Sequence, residues 1–175
     1  MKTYIAFLRG INVGGHKKIL MANLRLLLEK AGLQNVQTYI QSGNVVFNSK
    51  EDIYLATKIR EAIESKYGFK VPVLVKKATE LSEILSKCPF IGEKREKSYF
   101  ILLGESPAKE NIELTAAFSN LKEEFHIAEN CVYIYYAVGA GKAKMGVNFF
   151  ERKLKVKATA RNYRTMAKLL EMSTL

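Results

Sequence analysis

The order in which hydrophobic periodicity changes over the first half of the chain constrains the fold more than any other feature. Thr3 to Leu8 is short, apolar and aromatic, the signature of a buried strand. Met21, Leu24, Leu28 and Ala31 then recur at spacings of three and four, which places them on one helical face, and Gly32 is positioned to end that helix as a left-handed cap. Val36 to Gln41 and Val45 to Asn48 read as two strands joined across Ser42-Gly43-Asn44, where Gly and Asn supply the dihedrals of a tight hairpin. Ser49 and Asp52 have the spacing of a capping box ahead of a helix that carries Leu55, Ile59, Ala62 and Ile63 on one side. Gly68 ends it, and Val71 to Val75 is a fourth strand. The resulting β-α-β-β-α-β order is the split βαβ, or ferredoxin-like, unit.

The second half is less regular. Thr79 is placed to cap a short helix through Leu85 that Pro89 stops, and Tyr99 to Leu103 is a strand. Ser106-Pro107 starts a helix leading to Leu114, Phe118 and Leu121. Phe125 to Ile127 and Val132 to Tyr136 form a hairpin, and two helical stretches close the chain, around Phe149 to Leu154 and Ala160 to Met172. Thr159 is the natural cap of the last, along which Arg161, Arg164 and Lys168 make a basic stripe. The expected fold class is α+β with two subdomains, residues 1–77 ferredoxin-like and residues 78–175 a smaller mixed α+β unit. No internal repeat is legible.

Charge separates along the chain. The net charge is +11, and basic residues outnumber acidic ones through Lys77 and again from Ala137 onward. Between Ala78 and Tyr136 the balance reverses, a pattern that favours a localised anionic partner. Tyr4 to Leu8 is too short for a signal-peptide core, nothing approaches a membrane span, and Cys88 and Cys131 fall in no C-x-x-C arrangement. A cytoplasmic protein with buried, reduced thiols, no metal and no membrane partner is expected; the oligomeric state and any cofactor are unknown from sequence.

Several segments bear on chemistry. Gly10, Gly14 and Gly15 lie between a strand and a helix, where backbone amides can cradle an anion, and Arg9, Lys17 and Lys18 add charge. The loop is neither G-x-G-x-x-G nor a Walker A sequence. Gly139 to Lys144 imitates a phosphate loop but fails it, since Tyr136 stands where the first glycine belongs and Ala143 follows the lysine. Asp52 is the only aspartate, which leaves no clustered aspartates for a two-metal site, and neither His16 nor His126 has a specific carboxylate to orient it. No reaction can be named. In the ferredoxin-like order the first strand pairs antiparallel with the third, so Leu8 must end beside Asn44, and the glycine loop and the Ser42 to Asn44 turn share one sheet edge.

Arg9-Gly10-Ile11-Asn12-Val13-Gly14-Gly15, Ser42-Gly43-Asn44-Val45-Val46-Phe47, Pro89-Phe90 and Thr159-Ala160-Arg161-Asn162 resemble, together, the motifs of a widespread bacterial family catalogued as domain of unknown function 1697. The resemblance spans essentially the whole chain and implies two α+β subdomains, the first ferredoxin-like; it implies no activity, substrate or cofactor. Tyr163 departs from the pattern, in which a tryptophan follows Arg-Asn. The ligand-binding residues expected are Arg9, Gly10, Asn12, Gly14, Gly15, Lys17, Ser42 and Asn44, with Arg161 and Asn162 from the other basic end of the chain. The ligand expected is a small phosphate- or carboxylate-bearing molecule. The alternative is RNA or single-stranded nucleic acid, since RNA-recognition domains share the topology, although the third strand lacks their aromatic-rich stacking motif.

Overall fold

The structure, a computed structural model, describes residues 1–174. The chain divides into two compact units, Met1–Ser82 together with the chain from Lys168, and Glu83–Ala167. In the first, β1 (Lys2–Leu8), α1 (Met21–Lys30), β2 (Gln34–Tyr39), β3 (Asn44–Ser49), α2 (Leu55–Tyr67) and β4 (Val73–Lys77) build a sheet of order β2-β3-β1-β4, antiparallel throughout. This is the expected ferredoxin-like arrangement. α3 (Ala78–Ser86) follows directly.

Alternation sorts the residues of β1 onto two faces. Tyr4, Ala6 and Leu8 join Val45 and Phe47 of β3, Leu24 and Leu28 of α1, and Leu55, Ile59 and Ile63 of α2 in one core. Tyr4 stacks on Phe47 with ring centroids 5.7 Å apart. The opposite face, carrying Ile5, Phe7 and Val46, is equally closed to water. Both faces of β1 are therefore inaccessible, which explains its near-continuous apolar run.

One local expectation fails here. Ser49 and Asp52 do not make a capping box, because α2 begins later, after Tyr54. The Ser49 hydroxyl instead accepts the Glu51 amide at 3.1 Å, and Asp52 takes the Lys2 ammonium at 2.9 Å. That hydrogen bond and charge hold the Asp52 carboxyl below its usual range.

The second unit repeats the topology of the first, which the sequence does not disclose. After α4 (Gly92–Glu96), the elements β5 (Tyr99–Leu103), α5 (Lys109–Ala116), β6 (Glu123–Ile127), β7 (Cys131–Tyr136), α6 (Val147–Leu154) and β8 (Ala158–Asn162) again run β-α-β-β-α-β. The sheet order is β6-β7-β5-β8, antiparallel throughout. The repeat extends to single hydrogen bonds. Leu8 N–H donates to Gly43 and Arg9 N–H to Pro72; at the matching places Leu103 N–H donates to Asn130 and Gly104 N–H to Lys157. Ile101, Leu103, Val132, Ile134, Phe150 and Leu154 centre the core of this unit.

The second half departs from the sequence pattern in several places. Ala160 to Asn162 is strand, and α7 (Tyr163–Ser173) starts only at Tyr163, capped by the Asn162 side-chain oxygen, which accepts the Thr165 amide at 2.9 Å. Thr159 is not the cap, and Arg161 shares no helical stripe with Arg164 and Lys168. Leu114, Phe118 and Leu121 do not form a buried helical face: all three are exposed, and α5 buries Thr115 instead. Cys131 is buried as expected, whereas Cys88 is half-buried.

Candidate functional site

The first unit brings the glycine loop and the hairpin turn to one place. Phe7 is the register partner of Asn44, and the next residue, Leu8, donates its amide to the Gly43 carbonyl at 2.7 Å. Gly43 has φ +82°, and a Cβ there would sit 2.7 Å from Leu8 Cβ and 3.1 Å from both Leu8 O and Ile11 Cδ1. Only glycine lets the turn approach β1 this closely. Asn44 is buried, and its side-chain amide donates to Tyr39 O at 3.1 Å and to Ser42 Oγ at 2.9 Å, which closes the turn on itself.

Beyond Arg9 the chain makes a loop through repeated left-handed conformations, at Gly10, Asn12, Gly14, Gly15 and Lys17. Asn12 is the fastener. Its Nδ2 donates to Ile19 O at 3.0 Å and to Gln41 O at 2.9 Å, while its Oδ1 accepts Ile19 N–H at 2.8 Å. One side chain thus closes the base of the loop and ties it to the β2–β3 turn. Ile11 and Ile19 are buried and peg both ends, while the tip from Val13 to Lys18 is exposed. Lys17 Nζ reaches the Lys70 carbonyl at 2.7 Å, and Arg9 N–H donates to Pro72 O at 2.9 Å, so the strand-entry segment before β4 is the third side of the edge.

Two features of this edge concern ligand binding. Neither Arg9 to Leu20 nor Tyr39 to Asn44 contains an aspartate or glutamate, so the charged side chains of the two segments are basic apart from the histidine. Ile40, a β-branched residue, has φ +48°. That conformation costs an L-residue on the order of 1–2 kcal/mol and is a genuine outlier for isoleucine.

Arg161 and Asn162 lie in the second unit, on β8. Arg161 is the register partner of Phe100 and donates through Nη1 to Thr159 Oγ1 at 3.0 Å and Ala160 O at 2.7 Å. Burial pushes its guanidinium down to about 10, still charged at neutral pH. The oxygen of Asn162 is engaged in capping α7.

Three contributors to the edge show themselves only in the folded chain. Gly43 was legible as a turn glycine, but its close approach to Leu8 depends on register. Gln41 and Lys70 act through backbone carbonyls, which leave no trace in residue type. In the second unit Glu123 was also missed: this buried carboxylate accepts Lys144 N–H at 2.5 Å and Met145 N–H at 3.0 Å. Together with the Tyr136 hydroxyl, which donates to Met145 O at 3.0 Å, it anchors the basic turn through Gly139 to Lys144. Among the described residues no group of three or more His, Cys, Asp or Glu side chains could hold a metal ion, and no helix is long and apolar enough to cross a membrane.

An α+β chain of two like-folded antiparallel units, with an elaborated basic loop on the first, is the class this geometry defines. The chain belongs to the family described as protein of unknown function, DUF1697, whose model matches residues 1–133. It is similar over 100% of its length to the conserved bacterial protein SP0830 from Streptococcus pneumoniae, which is covered to 99%, with a TM-score of 0.77 and 22% sequence identity; that likeness is one of fold. No curated protein matches.

Proposed function

We propose that the edge formed by the Arg9 to Lys18 loop and the Ser42 to Asn44 turn binds a small phosphate- or carboxylate-bearing molecule. The observation that carries this reading is the contrast between the two units. The second makes the same strand-to-helix connection with Gly104 to Ala108, whereas the first takes Arg9 to Leu20. A fold that closes with the shorter path does not require the longer one, and strand-to-helix connections in such units are commonly about 2–6 residues. The extra length is exposed, glycine-rich and cationic, properties that suit backbone amides and ammonium groups to an oxyanion.

Roles divide within the edge. Asn12 and Asn44 are positioning residues, since their amides are engaged in fastening the loop and the turn. Gly10, Gly14 and Gly15 offer backbone, while Lys17 and Lys18 offer ammonium donors; Arg9 and Ser42 complete the edge on either side. Nucleic acid, the alternative, gains no support from the sheet of the first unit, because Ile5, Phe7 and Val46 are buried and offer no platform for stacked bases.

The test is calorimetric titration of wild type and Lys18→Glu with inorganic phosphate and simple phosphate monoesters at low salt. Lys18 is exposed, so the reversal leaves the core intact. Binding that weakens at least about tenfold in the variant, with an unchanged unfolding midpoint, is expected. Binding indifferent to Lys18→Glu, or no binding of any phosphate or carboxylate, would overturn the proposal.

A further inference from the structure

We infer that the ligand of this edge is an organic anion, one whose phosphate or carboxylate is attached to an apolar or planar group, and that Val13, Leu20 and Ile40 receive that group. The inference rests on the anion-binding reading above and gives it a substrate class. Val13 is 65% exposed, Leu20 67% and Ile40 52%. Single exposed aliphatic residues are ordinary on protein surfaces. These three are each next in the chain to a residue of one hydrogen-bond cluster: Val13 follows Asn12, Leu20 follows Ile19 and Ile40 precedes Gln41, and Asn12 Nδ2 binds the carbonyls of both Ile19 and Gln41. Three exposed aliphatic residues thus flank the residues that Asn12 fastens together.

The second unit supplies an internal control. Its matching connection and turn are Gly104-Glu105-Ser106-Pro107-Ala108 and Ala128-Glu129-Asn130, tied to each other where Ser106 Oγ donates to Glu129 Oε1 at 3.1 Å. That edge holds no large aliphatic residue and carries two glutamates. The same place in the same fold is therefore acidic and polar in one unit, cationic and aliphatic in the other. A bare inorganic ion would use the cations and leave the aliphatic surface in water. A ligand with both parts uses both, and burying its apolar group adds affinity in proportion to area.

Ile40 strengthens the assignment. Its left-handed backbone is one that asparagine or glycine adopts readily, and 52% of its surface is left in water. An isoleucine held there makes physical sense when its surface is covered by a ligand.

The experiment compares inorganic phosphate, phenyl phosphate and phenol by calorimetry on wild type and on Ile40→Asn, a substitution that keeps the left-handed conformation and removes the aliphatic surface. Phenyl phosphate is expected to bind about tenfold or more tightly than inorganic phosphate to wild type, with phenol not measurably bound. In Ile40→Asn the advantage of phenyl phosphate should shrink severalfold while phosphate affinity is unchanged. Equal binding of phosphate and phenyl phosphate would overturn this inference and leave the anion site standing. Phenol binding as tightly as phenyl phosphate would also overturn it, and failure of all three probes would remove both it and the phosphate-binding form of the reading beneath it.

Discussion

Replacing Gly43 with alanine probes the junction on which the candidate edge is built. Two costs add. Alanine at φ +82° pays about 1–2 kcal/mol for the left-handed conformation. The new Cβ also lies 2.7 Å from Leu8 Cβ and 3.1 Å from the Leu8 carbonyl, both belonging to β1 rather than to a flexible side-chain end. Relief requires the turn to lift from β1, which stretches the 2.7 Å bond from Leu8 N–H to Gly43 O; overpacking of this kind costs about 1–3 kcal/mol. The total is about 2–5 kcal/mol, against a typical domain stability of about 5–15 kcal/mol. Gly10→Ala is the reference. Gly10 has φ +75° but nothing within 4 Å of a built Cβ, so it carries the dihedral cost alone, about 1–2 kcal/mol. Urea unfolding of both variants, with m held in view, measures the difference. If Gly43→Ala were no more destabilising than Gly10→Ala, the close approach would not constrain the turn and the reasoning from register would fail.

Glu123→Ala leaves the amides of Lys144 and Met145 without their carboxylate, and should cost about 2–4 kcal/mol; hydrogen exchange should accelerate at those two amides, with Glu123→Gln intermediate. Asn162→Ala removes the cap of α7 and should cost about 1 kcal/mol by chemical denaturation. Alkaline pH tests the buried tyrosines: burial raises the Tyr136 hydroxyl to about 12 and the Tyr133 hydroxyl further, from an ordinary value of 10.0. Because these folded values are raised, stability is full below pH 10 and falls as pH rises toward 12 and beyond, and tyrosinate absorbance should develop in two stages, exposed rings first.

How much of this was readable from residues depended on where local signals and tertiary context agreed. In the first unit they agreed over most of the chain: Leu24 and Leu28 fall on the buried side of α1, and Gly32 and Gly68 lie past helix ends at positive φ, although the hairpin turn takes Ile40 to Gly43 and the Ser49–Asp52 capping box does not form. In the second, β8 passes into α7 at Asn162 without a loop, so Ala160 and Arg161, good helix formers, read as the first turn of the helix that follows. Tertiary pairing with β5 decides otherwise. α5 ends at Ala116, so Phe118 and Leu121 lie beyond the helix to which their spacing assigned them. The duplicated topology was hidden because the two copies differ in loop length and apolar pattern while sharing backbone pairing. At the edge itself residue type announced Arg9, Gly10 and Asn12, but the work of Asn12 goes to the carbonyls of Ile19 and Gln41, invisible until the chain is folded.

Amide chemical-shift mapping distinguishes one anion-binding edge, shared by the first unit's loop and turn, from separate sites on each. Titrating phenyl phosphate into uniformly 15N-labelled protein should shift the amides of Arg9 to Leu20 and Ile40 to Asn44 together, with one common saturation curve. The Gly104 to Ala108 and Gly139 to Lys144 amides should stay in place. Shifts centred on either of those segments, or separate saturation of the loop and the turn, would contradict the account.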